Sequence, residues 1–222
     1  MIFAAPTWSG DQLSGNWDVL WYYTLDHLRI TFIALAIGTV VAFPLGIIGY
    51  RWRRAYPPIL SVSNVLYSIP SLALLVLLGA AFGEVLSDKP LIVTLAIYTL
   101  AILVRNLVEG LRAVPAEVKD AALAMGYTPR RRLFAVELPL ALPAMIAGLR
   151  VATVSTVSLV SVGGAVGLGG LGFMFFHGYA RDLQSEIWAG IIASVLLAVV
   201  LDLFIVLLGR GLAPWARKRS AR

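Results

Sequence analysis

Cysteine is absent from the 222 residues, which excludes disulfides, thiolate metal ligands and a cysteine nucleophile. Charge is scarce: 14% of residues are charged, against about 25% in soluble domains. The two histidines, His27 and His177, stand far apart and leave little for a metal site. The first 28 residues hold Asp11, Asp18 and Asp26 but no Lys or Arg. A secretory signal needs a basic start before its apolar stretch, so this segment is not read as one. No Gly-x-x-x-x-Gly-Lys-Ser/Thr phosphate loop occurs, so the chain is not expected to bind ATP in the usual way. No convincing catalytic triad or carboxylate pair occurs either, and the chain is not expected to be an enzyme.

What is abundant is apolar: 59% of residues are hydrophobic and the mean hydropathy is +0.86, so the bilayer is the expected solvent. The length suits one compact bundle. Net charge +6 raises the question of nucleic acid, and its placement answers it. Thirteen of the 18 Lys and Arg fall in three groups, each beside a long apolar run. They are Arg51, Arg53 and Arg54; Arg112, Lys119, Arg130, Arg131 and Arg132; and Arg210, Arg217, Lys218, Arg219 and Arg222. This pattern reads as membrane topology, and no nucleic-acid partner is expected.

A spanning helix takes roughly 20 apolar residues to cross about 30 Å of hydrocarbon. Five stretches qualify: Ile30 to Tyr50, Ala55 to Gly83, about Pro90 to Val108, Leu140 to Val162 and Ile187 to Gly209. Backbone groups in lipid must pair internally, so these read as helices and the fold as all-α. With five spans, all three basic groups share one side, which the positive-inside rule makes cytoplasmic. The N-terminus is then outside, the C-terminus inside, and Glu84, Asp88 and Lys89 lie in an outer loop. Trp17, Trp21, Tyr22 and Tyr23 read as an interfacial anchor, and an amphipathic helix on the outer surface is as good a reading of them as any substrate role. Pro44, Pro70 and Pro143 lie within or near spans, where each removes a backbone hydrogen bond and favours a kink.

The inner loop from Glu109 to Glu137 is longer than the usual helix connection of about 2–8 residues. Pro115 at a start, residues 116–125, and Gly126 as a stop predict a short helix within it. Val118, Ala121, Ala122 and Met125 fall at helical spacing on one face, where the two alanines allow another surface to approach. Such a helix either docks a soluble partner or packs back on the bundle.

Asp120-Ala121-Ala122-x-x-x-Gly126, nine residues, then Val136-Glu137-Leu138-Pro139 resembles the coupling motif of binding-protein-dependent ABC importer permeases. That motif reads Glu-Ala-Ala, three residues, Gly, nine residues, Ile-x-Leu-Pro; Asp replaces Glu and Val replaces Ile here. The resemblance implies that Asp120, Ala121, Ala122, Gly126, Leu138 and Pro139 serve coupling to separate ABC ATPase subunits, which bind the ATP and Mg. It implies no cofactor in this chain, a second permease subunit, identical or similar, and a separate extracytoplasmic substrate-binding protein. Residues 1–28 then read as an extracytoplasmic interfacial segment and 29–210 as the permease domain in membrane lipid. Residues 211–222 form a basic cytoplasmic tail, and the cell membrane of a prokaryote is the expected location.

Several runs are most similar to permeases for osmoprotectants such as glycine betaine, carnitine or choline. They include Ser68-Ile69-Pro70-Ser71-Leu72-Ala73-Leu74-Leu75, Val104-Arg105-Asn106 and Val136-Glu137-Leu138-Pro139-Leu140-Ala141-Leu142-Pro143. Methionine or other amino-acid importers share the plan, and the run Gly163 to Gly172 resembles theirs. A secondary transporter would need inverted repeats and intramembrane ion ligands, and no repeat is visible. Quaternary ammonium groups are held on aromatic faces, and Tyr67, Tyr98 and Trp188 are candidates for such a pathway, as they are for lipid-facing packing.

Gly167-x-Gly169-x-x-Gly172 matches the dinucleotide fingerprint in letters, but it follows a membrane helix where that fingerprint needs a strand. Gly167, Gly169, Gly170 and Gly172 read instead as an irregular gating segment on the outer side. Arg150 and Asp202 lie within spans at roughly 12–17 Å depth, counted at about 1.5 Å per residue. Intramembrane charges are costly and usually paired, so these two are expected to form an ion pair with a structural role.

Overall fold

The computed structural model describes residues 17–84 and 87–215, and no strand occurs among them. The first helix, α1, runs unbroken over Trp17–Arg51, 35 residues. At about 1.5 Å per residue it is some 50 Å long, more than the hydrocarbon needs. The expected anchor of Trp17, Trp21, Tyr22 and Tyr23 is its first turns, not a separate helix laid across it. Residues 1–16 and 216–222 of the expected terminal segments lie outside the described residues.

The stretch Ala55 to Gly83 is not one straight span. It divides into α2 (Tyr56–Ser68) and α3 (Ser71–Phe82), bent by 96° at the break. Pro70 has no N–H, and its ring pushes the preceding residue out of the helical region. Ile69 accordingly sits at φ −69°, ψ 129°. Pro44 and Pro143, by contrast, lie inside unbroken helices. Four described helices are long and apolar enough to cross a membrane, up to five if the bent pair counts as one.

The centre of the bundle is α4 (Asp88–Arg112), where 56% of the most apolar stretch is buried within the chain. Small residues set its close approach to α1: a Cβ on Gly38 would lie 2.5 Å from Thr99, and one on Gly46 2.5 Å from Leu107. Thr99 and Thr156 hydroxyls pair at 3.1 Å across the buried seam between α4 and α7 (Leu138–Gly163). Two short helices, α5 (Ala116–Ala124) and α6 (Pro129–Arg132), and a π-helical turn (Leu133–Glu137) join α4 to α7. After α7 come a 3-10 turn (Gly164–Val166), α8 (Leu171–Ala180) and α9 (Gln184–Leu212). Of the four long helices α9 has the least buried apolar stretch, 6%, and packs on the bundle along the side that carries Ala189, Leu197 and Leu201.

The fold thus has a basic end, where α1 and α4 finish and α2 and α7 begin beside α5. At the opposite end stand Asp88 and the start of α8.

Candidate functional sites at the two ends of the bundle

At the basic end, α5 begins after Pro115 and stops where the sequence places Gly126. The N–H of Gly126 bonds the Leu123 carbonyl at 2.9 Å and that of Tyr127 the Ala122 carbonyl at 3.1 Å. This paired closure needs a left-handed residue, and Gly126 has φ +78°. A Cβ there would meet nothing within 4 Å, so conformation alone demands glycine. The expected face of Val118, Ala121, Ala122 and Met125 is split by the actual rotation of the helix. Ala122 is 1% exposed and packs inward, whereas Met125 is 68% exposed. Ala121, Leu123 and Asp120 also face outward.

Two contacts tie α5 to the spans, and a third joins the ends of α4 and α2 beside it. Lys119 Nζ donates to the Leu111 carbonyl at 3.3 Å, one of the orphan acceptors at the end of α4. The same ammonium stands 5.4 Å from the centroid of the Tyr50 ring, at the end of α1. Arg112 lies 4.1 Å over the Tyr56 ring at the start of α2. Glu137 is 1% exposed, yet its carboxylate is satisfied: Arg132 Nε donates at 2.6 Å and the Tyr50 hydroxyl bonds it as well. A buried carboxylate with two partners holds the π-helical turn against α1. Leu138 and Pro139 form the first turn of α7 immediately beyond it.

At the opposite end, the glycine segment crosses its own helix closely. A Cβ on Gly164 would lie 2.2 Å from the Gly172 carbonyl carbon, and one on Gly172 2.2 Å from the Ser161 oxygen. The segment is also gripped by α1. Asp26 Oδ2 accepts from the Gly170 N–H at 2.9 Å, and His27 Nδ1 from the Leu171 N–H at 3.2 Å. Because Nδ1 accepts, the imidazole carries its hydrogen on Nε2, which donates to the Val157 carbonyl at 3.0 Å. Arg29 bridges Asp26 and Asp88, so α1, α4 and the start of α8 share one charged network. In the adjoining loop, a hydrogen bond from Lys89, helped by Ser87, holds the Glu84 carboxyl below the usual carboxylate range. Phe173 stacks between Tyr23 and His177, at 5.2 Å and 5.3 Å.

Within the bundle, Arg150 and Asp202 meet in a two-pronged pair, Nε to Oδ1 at 2.7 Å and Nη2 to Oδ2 at 2.8 Å. Tyr67 and Tyr98 are brought together with ring centroids 5.3 Å apart, beside the break in the bent pair. Trp188 is not with them; it stands half exposed on the second turn of α9. Sequence reasoning missed Tyr50, Lys119 and Glu137 as anchors, and Asp26 and His27 as partners of the glycine segment. Glu137 alone left a signal, as a carboxylate within an otherwise apolar approach to a span.

These features define an all-α protein whose long apolar helices suit a membrane, with a short, half-buried helix between two of them at its basic end. The profile described as the binding-protein-dependent transport system inner membrane component matches residues 34–218, and the chain belongs to this family. It is 31% identical over 207 residues to the choline transport system permease protein OpuBB of Bacillus subtilis (strain 168), covering 93% of this chain and 94% of that protein. It is 35% identical to the glycine betaine/carnitine/choline transport system permease protein OpuCD of the same organism, over 87% and 84% of the two chains. An inward-facing structure of the MetNI methionine ABC transporter shares the fold, with TM-score 0.81 and 24% identity over 89% of this chain and 98% of that one.

Proposed function

We propose that this chain is the transmembrane subunit of an ABC importer that brings a small osmoprotectant such as glycine betaine, carnitine or choline into the cell. Separate ATPase subunits hold the ATP and Mg, and this chain has no ATPase site of its own. The basic end is cytoplasmic, the bent pair counts as the second of five spans, and the N-terminus lies outside. A second permease subunit, identical or similar, completes the pathway, and an extracytoplasmic binding protein delivers substrate to the end carrying Asp26, Asp88 and the glycine segment. The substrate class rests on the relatives of similar length, whose names give choline, carnitine and glycine betaine. The methionine transporter supports the fold alone.

The observation that carries the reading is the two-sided α5. Its inner side reaches α4 and α1 through Lys119 and buries Ala122, while Ala121, Leu123 and Met125 remain exposed. A helix fastened on one face and open on the other converts movement of a docked ATPase into rigid-body rocking of the spans. ATP binding closes the ATPases and turns the bundle outward to accept substrate; hydrolysis resets it. ATP can do this only by binding one state more tightly than the other.

The test replaces Ala121 by Arg and Leu123 by Glu in the assembled transporter. The expected result is a membrane-inserted subunit that no longer co-purifies with its ATPase and no longer supports ATP-driven uptake. Full uptake by this variant overturns the assignment. The cysteine-free chain also permits Ala121→Cys labelling, and reaction with an impermeant thiol reagent from outside the cell would equally overturn it.

A further inference from the structure

The break between α2 and α3 does more than bend a span. It opens a cavity of about 460 Å³, within the roughly 300–1,000 Å³ of small-molecule pockets. Tyr67 comes from the last turn of α2, Pro70 and Ser71 from the break, Tyr98 from α4, and Ser155 and Ser158 from α7. No Asp, Glu, Lys or Arg lines it.

The two tyrosines have different positions in it. Tyr98 is 5% exposed, and its hydroxyl donates to the Ile69 carbonyl, the acceptor that the proline break leaves open. Its ring is thereby fixed. Tyr67 is 48% exposed and meets the Tyr98 ring at 65°, edge to face. The hydroxyls of Ser71, Ser155 and Ser158 have no hydrogen-bond partner among the described residues. In hydrocarbon, open hydroxyls and an interrupted backbone are tolerated only where they line a water-filled or ligand-filled space. The cavity is therefore uncharged, lined by open hydroxyls, and walled on one side by aromatic rings.

We propose that the cavity beside Pro70 is a transit subsite for a quaternary ammonium group, held on the exposed ring of Tyr67 and hydrated by Ser71, Ser155 and Ser158, with Tyr98 as a positioning residue. An aromatic face attracts a trimethylammonium group through the ring quadrupole, and methyl groups that cannot donate strong hydrogen bonds lose little by leaving water there. The missing carboxylate matters as much. A buried counter-charge would trap the cation, whereas a pathway must hold its passenger weakly enough to release it. This inference rests on the permease reading above and adds to it where the substrate passes.

The experiment uses the whole transporter in proteoliposomes, with its binding protein and ATPase, and follows labelled choline and glycine betaine. Tyr67→Phe keeps the ring and is expected to retain at least about half of wild-type uptake. Tyr67→Leu removes it and is expected to lower the maximal rate about 5- to 30-fold. The binding-protein concentration at half-maximal rate should stay unchanged, because capture happens on that protein. ATPase stimulation by the loaded binding protein should persist in Tyr67→Leu, showing that the complex assembles. Equal rates for Tyr67→Leu and wild type overturn the subsite while leaving the permease reading intact. Equal losses for Tyr67→Phe and Tyr67→Leu also overturn it, since a packing or hydroxyl role is then enough. Failure of the wild-type complex to move either substrate overturns the substrate reading and the subsite with it.

Discussion

Replacing Arg132 by Met removes the closest partner of a carboxylate that water cannot reach. Glu137 is 1% exposed and Arg132 23% exposed, with Nε and Oε1 only 2.6 Å apart. Losing one member of a buried pair costs about 3–5 kcal/mol, because the remaining charge stays desolvated and unpaired. For a chain of this size each kcal/mol moves the melting temperature by about 2–4 °C, so Arg132→Met should lower it by roughly 6–20 °C. The Tyr50 hydroxyl keeps one hydrogen bond to the carboxylate, which favours the lower half of that range. The double variant Arg132→Met, Glu137→Gln removes the stranded charge and retains an acceptor for Tyr50. It should recover most of the loss, since replacing a whole buried pair is often near neutral. The assay is thermal unfolding of the detergent-solubilised complex, followed by size exclusion of the heated samples. If Arg132→Met melts within about 2 °C of wild type, or if the double variant is no better than the single, Glu137 is not the anchor described here.

Two other predictions test the remaining contacts. Gly169→Val puts a Cβ 1.9 Å from Asp26 Oδ2 and forces the carboxylate off the Gly170 N–H; if the glycine segment gates the pathway, substrate uptake should fall several-fold while co-purification with the ATPase persists, and unchanged uptake would refute gating. Exchanging Arg150 and Asp202 should restore folded protein in the membrane beyond either single charge reversal, because the pair joins α7 to α9; an exchange as poor as the singles, measured by monodisperse yield, would make the pairing incidental.

The sequence by itself determined what local chemistry dictates. Apolar runs long enough for hydrocarbon specify membrane helices without reference to any neighbour. Pro115 and Gly126 bound α5 through their own backbone preferences, and the structure places the helix between them. Arg150 and Asp202 were legible as a pair because a bilayer leaves two charges at similar depth few other partners. Tertiary structure decided what depends on rotation and distance. Whether Ala121 or Ala122 faces outward is a matter of how α5 turns on the bundle, since neighbours about 100° apart on a helix can each be turned inward. Asp26 and Gly170 are 144 residues apart, and no local preference of either one names the other. Pro70 announced a bend, but its 96° angle and the α4 hydroxyl of Tyr98 that meets the Ile69 carbonyl there belong to the packing of separate helices. Backbone preference acts over a few residues and can be read along the chain; partners for buried polar groups come from wherever packing brings a second helix.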